Sequence, residues 1–195
     1  MFRCITYNWN DIYRSCIDLG VKIAESFSPD VIVAIARGGW VPARILCDVL
    51  DVRELYSIKA VHWGRVATKN EARIVQKLNV DLTGKKVLIV DDVTDTGETV
   101  LLAKEHIKEL NAEEVRIAVV DHKRTSKFQP DFYANLNEEW MWIVYPWSCY
   151  EDARDLIEKN ELQNEDPERI KEILKERHDF NVDLDIIKYV LKKFE

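Results

Sequence analysis

Several features that would mark a special environment are missing or scarce in this chain, and each absence narrows its class. No stretch approaches the roughly 20 apolar residues that a membrane span needs. The opening Met-Phe-Arg-Cys-Ile-Thr lacks the apolar core of a secretory signal, so no membrane partner is expected. Cysteine is sparse: Cys4, Cys16, Cys47 and Cys149 are scattered, with no Cys-x-x-Cys pair. That pattern argues against zinc and disulfides and for reduced, buried thiols in a cytoplasmic protein. Positive charge does not dominate, since 28 Lys and Arg against 35 Asp and Glu leave a net charge of −7. No nucleic-acid partner is expected on that balance. Internal repeats and low-complexity segments are absent. What remains is a 195-residue chain, 47% hydrophobic and 32% charged, long and apolar enough to bury a core and outside the disordered range.

The most informative segment is residues 87–99, Val-Leu-Ile-Val-Asp-Asp-Val-Thr-Asp-Thr-Gly-Glu-Thr. Its apolar run, Val87 to Val90, reads as a buried parallel strand, and the residues from Glu98 onward read as a helix. The turn between them lies at the carboxyl end of a strand and the amino end of a helix, where backbone N–H groups favour an anion. Asp91 and Asp92 add acceptors for sugar hydroxyls or a hard cation. Together these groups suit a phosphorylated sugar carried with Mg²⁺. Competing motifs fail: there is no Gly-Lys-Ser/Thr of a Walker A loop, and a single Gly cannot make a dinucleotide fingerprint. An EF-hand would need an oxygen ligand where Val93 stands and Gly where Thr96 stands.

Along the chain, helix and strand patterns alternate. Helices are predicted over 10–26, 41–50, 98–109 and 150–159, and strands over 30–36, 54–61, 87–90, 114–120 and 141–144. The alternation predicts an α/β fold with a doubly wound, mostly parallel sheet and ligands at the carboxyl ends of its strands. Beyond residue 160, Asp166-Pro167 marks a helix start and Asp183 another. Two parts follow: 1–160 as the main domain, and 161–195 as a C-terminal helical extension packed on the core or across a dimer.

The 87–99 segment resembles the 5-phosphoribosyl-1-pyrophosphate (PRPP) motif of type I phosphoribosyltransferases. That resemblance implies that Asp91 and Asp92 hold the ribose hydroxyls, directly or through Mg²⁺. It implies that Thr94, Asp95, Thr96, Gly97, Glu98 and Thr99 cradle the 5′-phosphate. Asp95 would also be the catalytic acceptor for the imidazole nitrogen of an incoming purine. Arg37-Gly38-Gly39 resembles the pyrophosphate loop of the purine enzymes, with a non-proline cis bond expected at Arg37–Gly38 and Trp40 as a packing residue. Residues 62–73 correspond to a mobile lid, in which Arg65 and Lys69, with Lys59 and Arg73, are candidates to meet pyrophosphate.

Residues 121–132 resemble the loop in which a Lys reads a 6-oxopurine, which makes Lys123 the base reader. An ammonium offers donors only, which suits a carbonyl and disfavours an amino group. Trp142 is the expected base stacker and the Ile143 backbone an edge contact, while Trp140 and Trp147 are read as core filling. Ser148 departs from the family pattern, where an Asp commonly helps hold a second Mg²⁺ or the purine 2-substituent. Glu151 and Asp152 could replace it or merely cap the next helix. The implied activity is purine salvage with PRPP and a 6-oxopurine as substrates, in a homodimer or higher assembly. Adenine as the base, uracil or orotate as the acceptor, and a PRPP- or nucleotide-sensing regulatory homologue stay open.

Overall fold

The computed structural model describes residues 2–63 and 71–194. The chain divides into two compact units, Ile12–Trp140 and Met1–Asp11 with Met141–Glu195. The first unit carries a six-stranded sheet of order β4-β3-β2-β5-β6-β7. Its strands are β2 (Val31–Ala36), β3 (Glu54–Trp63), β4 (Glu71–Gln76), β5 (Lys86–Thr94), β6 (Glu114–Lys123) and β7 (Phe132–Asn137). All neighbours are parallel except β3 and β4, so the predicted doubly wound sheet is present.

Strands β2 and β5 lie side by side, yet β2 leads outward to β3 and β5 leads the opposite way to β6. Their carboxyl ends therefore flank the point where the strand order reverses, where a crevice opens in such sheets. Alternation along the buried strands supplies both faces. Ile32, Ala34, Leu88 and Val90 share a core with Leu19 and Ile23 of α1 (Trp9–Ala24) and Ala43 and Leu46 of α2 (Trp40–Val49). Val33, Ile35, Val87 and Ile89 meet Val100, Ala103 and Ile107 of α3 (Glu98–Lys108) on the other face. Helix α1 is started by a reciprocal cap: Asn8 Oδ1 accepts from the N–H groups of Asn10 and Asp11, and Asp11 Oδ2 accepts from that of Asn8.

The second unit has its own core. Strands β1 (Cys4–Thr6) and β8 (Trp142–Val144) pair in parallel. Helices α4 (Cys149–Lys159), α5 (Pro167–His178) and α6 (Leu184–Leu191) pack around Phe180, Ile170 and Leu174. The cap at Asp166 forms as expected, accepting from the Glu168 N–H at 2.9 Å with Pro167 behind it. The division differs from the expected boundary at 160. Leu156, Ile157 and Val144 share one apolar cluster with α5 and α6, so the C-terminal helices continue a core that starts earlier. Among the described residues, no helix is long and apolar enough to cross a membrane.

Phe180 is fully buried at the centre of this core. Phe180→Ala should lower the stability of the unit by about 3–5 kcal/mol through lost burial and the cavity left behind. Urea unfolding followed by circular dichroism would show it as a lower midpoint.

Candidate active site at the carboxyl ends of β2 and β5

A cavity of about 350 Å³ opens at the end of β5, lined by Asp91, Asp92, Val93, Thr94, Asp95, Thr96, Gly97, Thr99 and Val100. The expected PRPP residues are thus brought together. Asp91 is only 8% exposed, and burial, then the charge of Asp92, raises its pKa well above the ordinary carboxylate value. Asp91 Oδ1 accepts from the Asp92 N–H at 3.0 Å, and Asp92 Oδ1 accepts from the Val93 N–H at 2.8 Å. Neither bond supplies a positive charge. Gly97 takes φ +87° and stands at the amino end of α3 without a side chain to cap it. The Glu98 N–H there donates to Thr96 Oγ1 at 3.3 Å, and the helix start as a whole turns its positive dipole end toward the cavity.

The loop after β2 comes down on the same carboxylates. A Cβ on Gly38 would lie 2.0 Å from Asp92 Oδ2, and one on Gly39 would lie 2.3 Å from the Val90 carbonyl. Both positions therefore exclude larger residues, for different reasons. The cis peptide is at Ala36–Arg37, one bond before the expected place. Trp40 is 51% exposed, contrary to the expected packing role, because α2 buries Pro42, Ala43, Leu46 and Cys47 and turns its first residue outward. Lys59 is exposed on β3 opposite Ala36 of β2. Arg73 lies on β4 opposite Val61. The expected lid residues Arg65 and Lys69 fall outside the described residues.

Lys123 sits at the end of β6, 3% exposed. Its ammonium donates to Asp95 Oδ2 at 2.9 Å, so the expected base reader and the expected catalytic carboxylate meet. Three partners were not foreseen. His122 Nδ1 lies 2.8 Å from Thr94 Oγ1, and His122 Nε2 lies 3.2 Å from Gln129 Oε1. Burial pushes the His122 pKa below the ordinary imidazole value, and a neutral ring accepting from Thr94 and donating to Gln129 satisfies both contacts. The Thr94 hydroxyl, expected from sequence to cradle the phosphate, meets His122 in the ligand-free protein. Trp140, expected as core filling, is 42% exposed and donates its indole N–H to Asp95. Its ring had no core to fill, because the residues before it, Asn137 to Glu139, are not apolar. A single tryptophan 45 positions from its partner carries no local signal of that contact.

Trp142 and Ile143 belong to β8 in the other unit. Trp142 is 41% exposed and donates its indole N–H to Asp152 Oδ1 at 2.9 Å. Ile143 pairs with Ile5. Ser148 Oγ donates to Asp152 Oδ2 at 2.7 Å, and burial raises the Asp152 pKa. Asp152, one of the two acids weighed as a stand-in for the missing Asp, accepts from both Ser148 and Trp142.

Comparisons with known proteins point to one family. Residues 6–154 match the phosphoribosyl transferase domain family. A hypoxanthine-guanine phosphoribosyltransferase of Schizosaccharomyces pombe is 33% identical over 78% of this chain and 90% of its own length. Among solved structures, a purine phosphoribosyltransferase from Pyrococcus horikoshii is similar with TM-score 0.67 and 35% identity, over 74% of this chain and 93% of that one. A hypothetical protein from Neisseria gonorrhoeae with bound ppGpp gives TM-score 0.68 and 30% identity, over 83% of this chain and 96% of its own.

Two outcomes follow from the carboxylates and the glycines. A carboxylate whose folded pKa is raised stabilises the fold as the neutral acid and costs stability once pH rises through that value. Asp91→Asn should therefore melt higher than the parent protein near neutral pH without ligand. The difference should close as pH falls toward the ordinary carboxylate range, in melting curves recorded across pH. Gly38→Ala presses first on the Asp92 side chain, which can swing aside, and should weaken PRPP binding with a smaller loss of melting temperature than Gly39→Ala. Gly39→Ala meets backbone at Val90 and Ile35 and should destabilise by about 1–3 kcal/mol, the range for overpacking. Calorimetry with PRPP beside thermal melts separates the two.

Proposed function

The chain belongs to the phosphoribosyl transferase family, and from that premise we propose that it transfers the phosphoribosyl group of PRPP to a 6-oxopurine, hypoxanthine or guanine, releasing pyrophosphate. The observation that carries this reading is the buried Lys123 ammonium beside Asp95 on the rim of the acidic cavity. Lys123 has donors to offer an exocyclic oxygen, and Asp95 has lone pairs to accept the imidazole proton. The curated relatives named for hypoxanthine, xanthine and guanine support the same base class.

Displacement at the anomeric carbon passes through a state with oxocarbenium character. Asp91 and Asp92 hold the ribose hydroxyls. The α3 amino end, through backbone N–H groups from Thr96 to Thr99, receives the 5′-phosphate, and Asp95 takes up the purine N–H so that the ring nitrogen opposite can attack. Arg37, with Gly38 and Gly39, faces the leaving pyrophosphate, and Arg65 and Lys69 join it by resemblance to family lids. Trp142 and Ile143 contact the base by the same resemblance. Among the described residues no three His, Cys, Asp or Glu side chains form a metal cage. Two adjacent carboxylates on the cavity wall nevertheless fit Mg²⁺, which takes one or two carboxylates, substrate oxygens and water. When bound by Asp91 and Asp92, Mg²⁺ neutralises pyrophosphate charge. The four unpaired thiols fit a reducing, cytoplasmic setting, and a homodimer follows the family expectation.

One observation favours a second reading. The Neisseria gonorrhoeae neighbour has bound ppGpp, so a phosphorylated guanine nucleotide, sensed or inhibitory, is an alternative occupant of the same cavity.

Nucleotide formation should be assayed with PRPP and Mg²⁺ against hypoxanthine, guanine, xanthine and adenine. Turnover of a 6-oxopurine is expected, and Lys123→Ala should lower its kcat/KM by about tenfold to a hundredfold, the worth of a hydrogen bond to a charged group of about 1.5–3 kcal/mol. Turnover of adenine alone would reassign Lys123. Binding of ppGpp without turnover of any base would bring the sensing role forward.

A further inference from the structure

Trp140 takes no part in the transfer chemistry, yet it touches both groups assigned to the base. Its indole N–H lies 3.2 Å from each oxygen of Asp95. The Lys123 ammonium stands 4.6 Å from the centroid of its ring. Indole is a flat fusion of a five- and a six-membered ring, as purine is, with its N–H on the smaller ring. It therefore offers Asp95 the same kind of donor that a purine offers from its imidazole nitrogen. Its π-face meets the cation that would read the 6-oxo group.

The side chain is also poorly buried for a tryptophan, at 42% exposure, so burial alone contributes less than usual to its position. Its N–H meets one carboxylate and its ring one cation, and a purine can take its place on both. Asp95 has a half-exposed side chain while Lys123 is nearly buried. Left uncovered, that pair would meet water or any polar solute, and Trp140 closes it.

We propose that Trp140 is an internal occupant of the base position, engaging Asp95 and Lys123 in the ligand-free protein until a purine displaces it. The inference rests on the base position proposed above. Its consequence is a weakening of base binding by the reciprocal of the fraction of molecules with the indole displaced. The base must win Asp95 and Lys123 from Trp140, and a ligand that uses only the PRPP cavity leaves the indole undisturbed.

The test uses the full-length protein, Trp140→Phe and Trp140→Ala. KM for hypoxanthine or guanine and KM for PRPP are measured together with the equilibrium binding of GMP. Trp140→Phe keeps an apolar ring but loses the N–H, so KM for the base should fall about threefold to tenfold, the worth of one hydrogen bond. KM for PRPP should stay within about twofold. In 5-fluorotryptophan-labelled protein, the resonance missing from Trp140→Phe identifies Trp140. That resonance should move on saturation with GMP and stay in place with pyrophosphate alone. The labelled parent chain keeps the test intact if Trp140→Ala does not fold.

A higher or unchanged KM for the base in Trp140→Phe would overturn the proposal, as would a Trp140 resonance that ignores GMP. In either case parent turnover would leave the purine reading standing. If neither parent nor variants bind or convert any purine, the base position itself falls and the internal occupant with it.

Discussion

Where β5 leaves the sheet, two consecutive carboxylates stand side by side, and Asp91, buried beside the charge of Asp92, resists ionisation. Like charges in such a place are tolerated only when a ligand or cation supplies what the protein withholds. Much of the surrounding structure follows from keeping them there. Strand β5 is buried on both faces, so its end cannot shift toward solvent. The loop after β2 reaches Asp92 because Gly38 has no side chain to stop it. The crevice itself exists because β2 and β5 are neighbours whose crossovers run opposite ways. Stability is withheld from the free protein at the place where an anionic sugar and its cation would restore it.

What could be read from the sequence was local. The apolar run before Asp91, the turn residues after it, and the start of α3 fall within thirteen consecutive residues, so strand, turn and helix were recoverable from pattern alone. The cap at Asp166 with Pro167 is equally local and formed as expected. Strand β4 was not legible, because an edge strand paired on one side needs no apolar run and Glu71 to Gln76 has none. Strand β1 has three residues, too few for any period. The expected boundary at 160 followed the extent of the family core, whereas the apolar cluster around Phe180 draws on Cys4 and Val144 as readily as on α5 and α6.

The aromatic residues show the same limit from the other side. Three tryptophans within eight residues, Trp140, Trp142 and Trp147, look alike in sequence but have separate partners. Trp140 donates to Asp95, Trp142 to Asp152, and Trp147 stacks on Tyr145 at 4.7 Å between centroids. Each N–H or ring found its partner through the tertiary fold, since a half-buried indole keeps a polar edge to satisfy. Ser148 belongs to the same account. A shorter residue there leaves the role of oxygen donor to Asp152, which serves Trp142 and the start of α4 instead of a ligand.

The decisive contacts lie in the register between β5 and β6. Thr94 stands opposite His122, and their side chains bond at 2.8 Å. One residue further on, Asp95 meets Lys123 at 2.9 Å. Consecutive motif residues are thus matched to consecutive residues of the neighbouring strand, and each pair is separated by 28 positions in the chain. A slip of one residue would turn both side chains of β6 to the wrong face and break both pairs at once. The cores on the two faces of the sheet oppose such a slip, because Ile117 and Val119 pack on one and Ala118 on the other. The packing that makes the fold therefore also sets which cation reaches which carboxylate. On the reading proposed above, specificity for the acceptor would be a property of strand register, which neither the 87–99 motif nor the Lys123 loop could reveal alone.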